Sequence, residues 1–136
     1  MPRTLPEKLA FKPGMITRLH APPPELESAL VDIIRAAGRQ ANWLMGFARD
    51  RAGLAEAAAQ LVPDYRRGGV LWFCYPKKSG ALSSDLTRDI GWDAVSAAGL
   101  LGVTQIALDE TWSALRFRYR DEIGTLTRRS GSGRPA

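Results

Sequence analysis

Residues Gly69 to Arg88 read GVLWFCYPKKSGALSSDLTR. The apolar run Val70 to Tyr75 is unbroken, stops at Pro76, and opens at once into Lys77-Lys78-Ser79-Gly80. A strand buried on both faces has this form: apolar at consecutive positions, then a proline that cannot donate to the ladder, then a polar loop. Ser83-Ser84-Asp85 supplies the residue types that begin a helix, so the basic loop lies between a strand's end and a helix's start. In a parallel sheet that junction is where ligands are usually held.

Working outward, strands and helices alternate. Met15 to His20 reads as a first strand after a Lys12-Pro13-Gly14 turn. Glu25 to Ala37 reads as the clearest helix, with Leu26, Ala29, Leu30, Ile33, Ile34 and Ala37 at helical spacing, Pro24 in the first turn and Gly38 as the cap. Ala41 to Ala48 is a second strand, and Asp50 caps a helix that runs to Val62 and ends at Pro63. Asp85 to Ala98 is a third helix weakened by Gly91, Val103 to Leu108 a strand, and Trp112 to Arg120 its antiparallel return. Right-handed crossovers then predict an α/β domain, a mostly parallel Rossmann-like sheet closing in an antiparallel hairpin. Residues 1–14, with a helical turn expected at Glu7 to Ala10, form an N-terminal arm; 15–122 form a single domain; 123–136 form a basic tail expected to be disordered. Burial of the central strand demands cover on both faces, from the arm, the first helix or a second copy of the chain.

The chain has 136 residues, 45% of them hydrophobic and 24% charged, which suits one domain with its own core. No apolar run approaches the ~20 residues a bilayer requires, and no signal peptide is visible. One cysteine, Cys74, and one histidine, His20, exclude an internal disulfide and a metal cluster, and a reducing cytoplasm is the expected setting. The net charge is +5, of which residues 113–136 supply +4 through six arginines against Asp121 and Glu122. A basic strand and tail carrying Arg116, Arg118, Arg120, Arg128 and Arg129 can attract nucleic acid or simply keep the chain soluble. Few aromatics interleave with these arginines, so nucleic acid is the less favoured partner.

GGVLWFCYPKKSG, followed by DLTRDIGW and then VTQIALDETWSALRFR, resembles the bacterial domain-of-unknown-function family numbered 3052. Its members carry KPG near the first strand, YPKK in the middle and a DETWSALRF-like end, and the resemblance runs from Lys12 to about Arg118. That family has no established activity. Its layout is similar to a shortened S-adenosylmethionine-dependent methyltransferase fold, which implies five strands in the order 1-2-3-5-4. Such a methyltransferase holds its cofactor on a glycine-rich turn after strand one. Here that turn is His20-Ala21-Pro22-Pro23-Pro24, whose prolines offer no N–H to a ligand. No cofactor is therefore expected.

If strands one to four are parallel, their C-terminal ends deliver His20, Arg49-Asp50, Lys77 to Gly80 and Asp109-Glu110-Thr111 to one rim. Lys77 and Lys78 suit an anionic group, with Ser79, Ser83 and Ser84 as donors and Arg88 one turn on; solvated lysines and capping serines are the plainer alternative. Trp112 is either a stacking wall or packing. Asp109 and Glu110 are candidate bases or turn acids, and His20 is the one side chain suited to proton transfer near neutrality. Cys74 reads as core. The primary reading is a binding module for a small anionic or nucleotide-like ligand. An enzyme using His20 or Asp109/Glu110, and a nucleic-acid-associated protein, are the alternatives.

Overall fold

Val70–Pro76 forms strand β3, buried at all seven positions. The computed structural model describes residues 4–77 and 92–122. β3 lies at the centre of a five-stranded sheet. On one side it pairs in parallel with β2, Trp43–Phe47, which pairs in parallel with β1, Thr17–His20. On the other it pairs antiparallel with β5, Trp112–Tyr119, and β5 pairs antiparallel with β4, Leu100–Ala107. The order is β1-β2-β3-β5-β4, the one implied by the resemblance. Only β5 runs against the other four. The sheet is thus mixed in its pairings, two parallel and two antiparallel.

Each face of β3 is covered by the same chain. One core joins Leu71, Phe73 and Tyr75 to Leu115 and Phe117, beneath helix α3 (Arg51–Leu61) and the short α4 (Asp93–Ser96). Asp50 caps α3 by accepting a hydrogen bond from Gly53 N at 2.7 Å, as its side-chain type predicts. The opposite core joins Trp43, Met45, Trp72 and Cys74 to Leu9, Leu26, Leu30 and Ile33. Leu9 belongs to the arm, just past the single-turn helix α1 (Leu5–Lys8), which Thr4 and Glu7 close as a capping box. The turn sits two residues earlier than the one expected at Glu7 to Ala10, because the Thr4–Glu7 pair fixes its start. The Leu9 carbonyl accepts from two buried indoles, Trp43 Nε1 at 2.9 Å and Trp72 Nε1 at 2.8 Å. The arm and the segment after β1 therefore cover the second face, and no second copy is needed for that purpose.

The helix expected over Glu25 to Ala37 is broken. Pro24–Leu26 makes a 3₁₀ turn and α2 spans only Val31–Arg35. Leu26, Leu30 and Ile33 still bury one apolar face, so the periodicity was sound while the hydrogen-bond ladder was not. Leu30 leaves the helical region (φ −106°, ψ 15°). After α2, Ala36 and Ala37 turn back along β1, with Thr17 N donating to Ala36 O at 3.0 Å and Gly38 N to Thr17 O at 3.2 Å. Sheet pairing claims the residues that would have extended the helix. β1 and β2 are shorter than expected at their starts, where the Asn42 side chain takes part in the link between the two segments: Ile16 N donates to Asn42 Oδ1 at 2.9 Å and Asn42 N to Ile16 O at 2.9 Å. β4 begins earlier, at Leu100, because its pairing to Tyr119 extends the hairpin. The start of the third expected helix and the tail lie outside the described residues.

Gly46 is the one tight spot on β2. A Cβ there would sit 2.9 Å from Leu61 Cδ1, 3.1 Å from Ala57 Cβ and 3.3 Å from Phe73 Cδ1, so α3 packs closely against the sheet only because this position lacks a side chain. Gly46→Ala is expected to cost about 1–3 kcal/mol by overpacking, read as a lower urea midpoint with unchanged slope. An unchanged midpoint would show that α3 can shift freely.

Candidate functional site

Strands β1 to β4 point the same way, so their C-terminal ends form one rim. His20 closes β1, Ala48-Arg49-Asp50 links β2 to α3, Lys77 follows β3, and Asp109-Glu110-Thr111 joins β4 to β5. Lys77 and the Asp109 turn touch: Lys77 Nζ donates to the Asp109 carbonyl, and Lys77 N donates to Thr111 O at 2.7 Å. The separated segments are thus brought to one end of the molecule. Lys78, Ser79, Ser83, Ser84 and Arg88 lie outside the described residues.

A cleft of about 280 Å³ opens at this rim, lined by His20, Arg49, Asp50, Glu56 and Trp112 among others. Arg49 enters because it is the last residue before the α3 cap, and its guanidinium lies 5.4 Å from the centre of the Trp112 ring. Trp112 itself is 1% exposed. It meets Phe47 edge to face at 5.6 Å and its Nε1 donates to Glu25 Oε2 at 3.3 Å. The tryptophan is a packed wall behind Arg49 and not a free stacking surface. Asp109 Oδ1 accepts from Thr111 N at 2.8 Å and Trp112 N at 2.7 Å, which makes it a turn acid. Those two bonds engage Oδ1 of the carboxylate expected as a candidate base. Glu110 is exposed. The sequence places Arg49 at this rim through its position directly after β2 but gives it no role, and Glu56, one turn into α3, is the lining residue that sequence reasoning did not name.

The other end of the sheet carries a second polar cluster. Glu122 accepts from Gly68 N at 3.0 Å, Tyr119 N at 2.7 Å and Tyr65 Oη at 2.9 Å, and lies 3.7 Å from Arg118 Nε. Burial alone would raise its pKa, but the donors from Gly68, Tyr119 and Tyr65 together with Arg118 outweigh it and hold the carboxyl below its usual range. Burial, then the Glu122 hydrogen bond and charge, push the Tyr65 phenol up to about 12. Nearby, Arg67 binds the Asp121 carboxylate at 3.0 Å and covers the Tyr119 ring at 4.3 Å. Arg116 and Arg118 are half-buried, with both Nε atoms in the interior. Burial first, and Arg118 second, lower the Arg116 pKa. They do not form an open stripe for phosphates; among the described arginines of that strand and its end, only Arg120 is exposed. Arg128 and Arg129 lie outside the described residues.

No family model matches the sequence, and no curated protein does. The chain is similar to two solved structures, described as "A Pericyclic Reaction enzyme" and "The structure of LepI complex with SAM". Identity is 13% and 14%, the TM-score is 0.46 for each, and the alignment covers 85% of this chain. The chain spans 39% of each of those structures. Among the described residues no helix is long and apolar enough to cross a membrane, and no three His, Cys, Asp or Glu side chains are grouped to hold a metal.

Proposed function

We propose that this chain is a small cytoplasmic binding module that holds a compact anionic ligand at the C-terminal rim of its sheet, without catalysis. The observation that carries this reading is the meeting of His20 and Arg49 in one cleft beside the start of the eleven-residue α3, on the rim where β3 also ends at Lys77. A helix start offers N–H groups and a positive dipole end, and a neighbouring guanidinium adds a fork of donors suited to phosphate or carboxylate. The cleft is at the small end of ligand pockets, which run roughly 300–1,000 Å³. It suits the phosphate or carboxylate end of a nucleotide-like molecule better than a whole dinucleotide. The motifs around YPKK and DETWSALRF support membership of the unknown-function family numbered 3052.

S-adenosylmethionine fits poorly. The turn after β1 has Ala21 at φ 57° followed by Pro22-Pro23-Pro24. Three successive residues without an N–H cannot supply the row of donors that such a turn would present. The enzyme reading through Asp109 is weakened because that carboxylate already serves the turn.

A thermal-shift screen with phosphorylated metabolites, nucleotides and S-adenosyl compounds tests the proposal. At saturating concentration a phosphorylated compound is expected to raise the melting temperature by several degrees, since ligand at about 100 times its Kd stabilises by ~2.7 kcal/mol. Arg49→Ala and Lys77→Ala should each lower the affinity about tenfold, as loss of a charge-assisted contact does. A ligand whose affinity is indifferent to both substitutions would place binding elsewhere. A shift from S-adenosyl compounds alone would overturn the reading of the proline turn.

A further inference from the structure

We propose that a second cleft, at the end of the sheet opposite the rim, binds the phosphoryl group of a small hydroxyl-rich compound of the sugar-phosphate class. The cleft has a volume of about 690 Å³ and is lined by Arg18, Arg39, Gln40, Ala41, Asp64 and Arg66 among others, none of which lines the rim cleft. Three separate segments build it. Arg18 stands near the start of β1, residues 38–41 link α2 to β2, and Asp64 and Arg66 come from the 3₁₀ turn Val62–Asp64 and the chain that leads into β3. The site therefore precedes β2 and β3, and the inference does not rest on the rim ligand.

The charges do not cancel. The lining holds three guanidinium groups against one carboxylate, a net charge of +2. Asp64 pairs with Arg18, which leaves Arg39 and Arg66. Arg66 is steadied by a bond from its Nη1 to the Pro63 carbonyl at 3.1 Å. Arg39 is exposed and has no acidic partner among the described residues. The acids near Gly68 are engaged elsewhere, Asp121 by Arg67 and Glu122 by Tyr65, Gly68 and Tyr119. Residues 123–136 carry three arginines and no acidic side chain, so their chemistry does not complement this cleft.

The backbone adds donors to the same wall. Gly38 N donates to Thr17 O at 3.2 Å and Asn42 N to Ile16 O at 2.9 Å. Between these two pins the N–H groups of Arg39, Gln40 and Ala41 donate to no described residue. Gln40 has φ 56°, a left-handed conformation uncommon for a residue other than glycine. Successive N–H groups in such a turn make a concavity for an anion, and arginine forks beside it suit phosphate oxygens. The volume lies within the roughly 300–1,000 Å³ of ligand pockets and leaves room beyond a bare phosphate. Among the described residues that line it none is aromatic, so a nucleobase would find no ring to stack on. A phosphate ester with a hydroxylated remainder meets both conditions, with Asp64 and the Gln40 amide as partners for the hydroxyls.

Titration of the isotope-labelled full chain with ribose 5-phosphate, followed through its amide chemical shifts, tests the assignment. The amides of Arg39, Gln40 and Ala41 should move together and saturate. Ribose 5-phosphate should bind about tenfold tighter than inorganic phosphate, and Arg39→Ala and Arg66→Ala should each weaken it about tenfold. Both arginines are exposed, so the circular dichroism of either variant should match wild type. Shifts confined to the amides around His20 and Arg49 would overturn this inference while leaving the rim reading intact. Still amides at residues 39–41, equal affinity for inorganic phosphate, or indifference to both substitutions would overturn it as well.

Discussion

A chain that starts at Lys12 is expected to lose most of its cooperative stability. Leu9 is fully buried in the core of Trp43, Trp72, Leu26 and Leu30, and removing a buried leucine typically costs about 2–5 kcal/mol. The truncation also takes away the Leu9 carbonyl, the acceptor shared by both indoles. Each indole N–H left buried without a partner adds roughly 1–3 kcal/mol. The total, roughly 5 kcal/mol or more, is comparable to the whole stability of many small domains. Leu9→Ala separates the two contributions, because it keeps the carbonyl and deletes only the packing. Chemical denaturation should therefore rank wild type above Leu9→Ala and Leu9→Ala above the truncation, with tryptophan emission shifted to the red in the last. A truncated chain that melts within a few degrees of wild type would show that the arm merely rests on the surface.

Glu122→Ala is the second large effect expected, about 2–4 kcal/mol, since it strands Tyr65, Gly68 N and Tyr119 N and removes the partner of Arg118. The pH dependence follows from the two shifts. Because the folded-state carboxyl of Glu122 titrates below its usual range, its contribution is present above the unfolded carboxyl pKa and is lost as pH falls through the lowered folded value. Tyr65 behaves in the opposite sense. Its phenol titrates at about 12 in the folded chain against 10.0 unperturbed, so its contribution is present below 10.0 and is lost as pH rises toward 12. Stability measured against pH should thus fall at both extremes. Glu122→Gln should flatten the acid limb and Tyr65→Phe the alkaline one. An acid limb unchanged in Glu122→Gln would assign that loss to other carboxylates.

The parts of this molecule legible in its sequence are those dictated by side-chain chemistry at short range. Val70 to Tyr75 could only be a strand buried on both faces, Asp50 before a periodic apolar run could only cap a helix, and the placement of both fixed the rim where Arg49 and Lys77 end. Burial of Leu26, Leu30 and Ile33 was readable too. What could not be read was the competition for backbone groups between distant segments. The helix after Pro24 loses its last two residues because Ala36 and Ala37 turn back to pair with β1, and nothing local in those residues announces it. The same holds for Glu122, whose partners Tyr65 and Gly68 lie more than fifty residues away in the chain. The role of Leu9 was equally hidden, since a backbone carbonyl carries no residue type. At the rim, the packing of Trp112 likewise depends on segments that its residue type does not name, whereas the turn that engages Asp109 is local.

The position of Cys74 has a practical consequence. It sits in the middle of β3, fully buried between β2 and β5, with its thiol pushed well up by burial. A thiol in that setting is inert until the central strand itself is exposed. The rate at which a small thiol reagent labels the native chain therefore times the opening of the whole sheet. Local fraying of the arm or of the β4 edge would leave the label untouched.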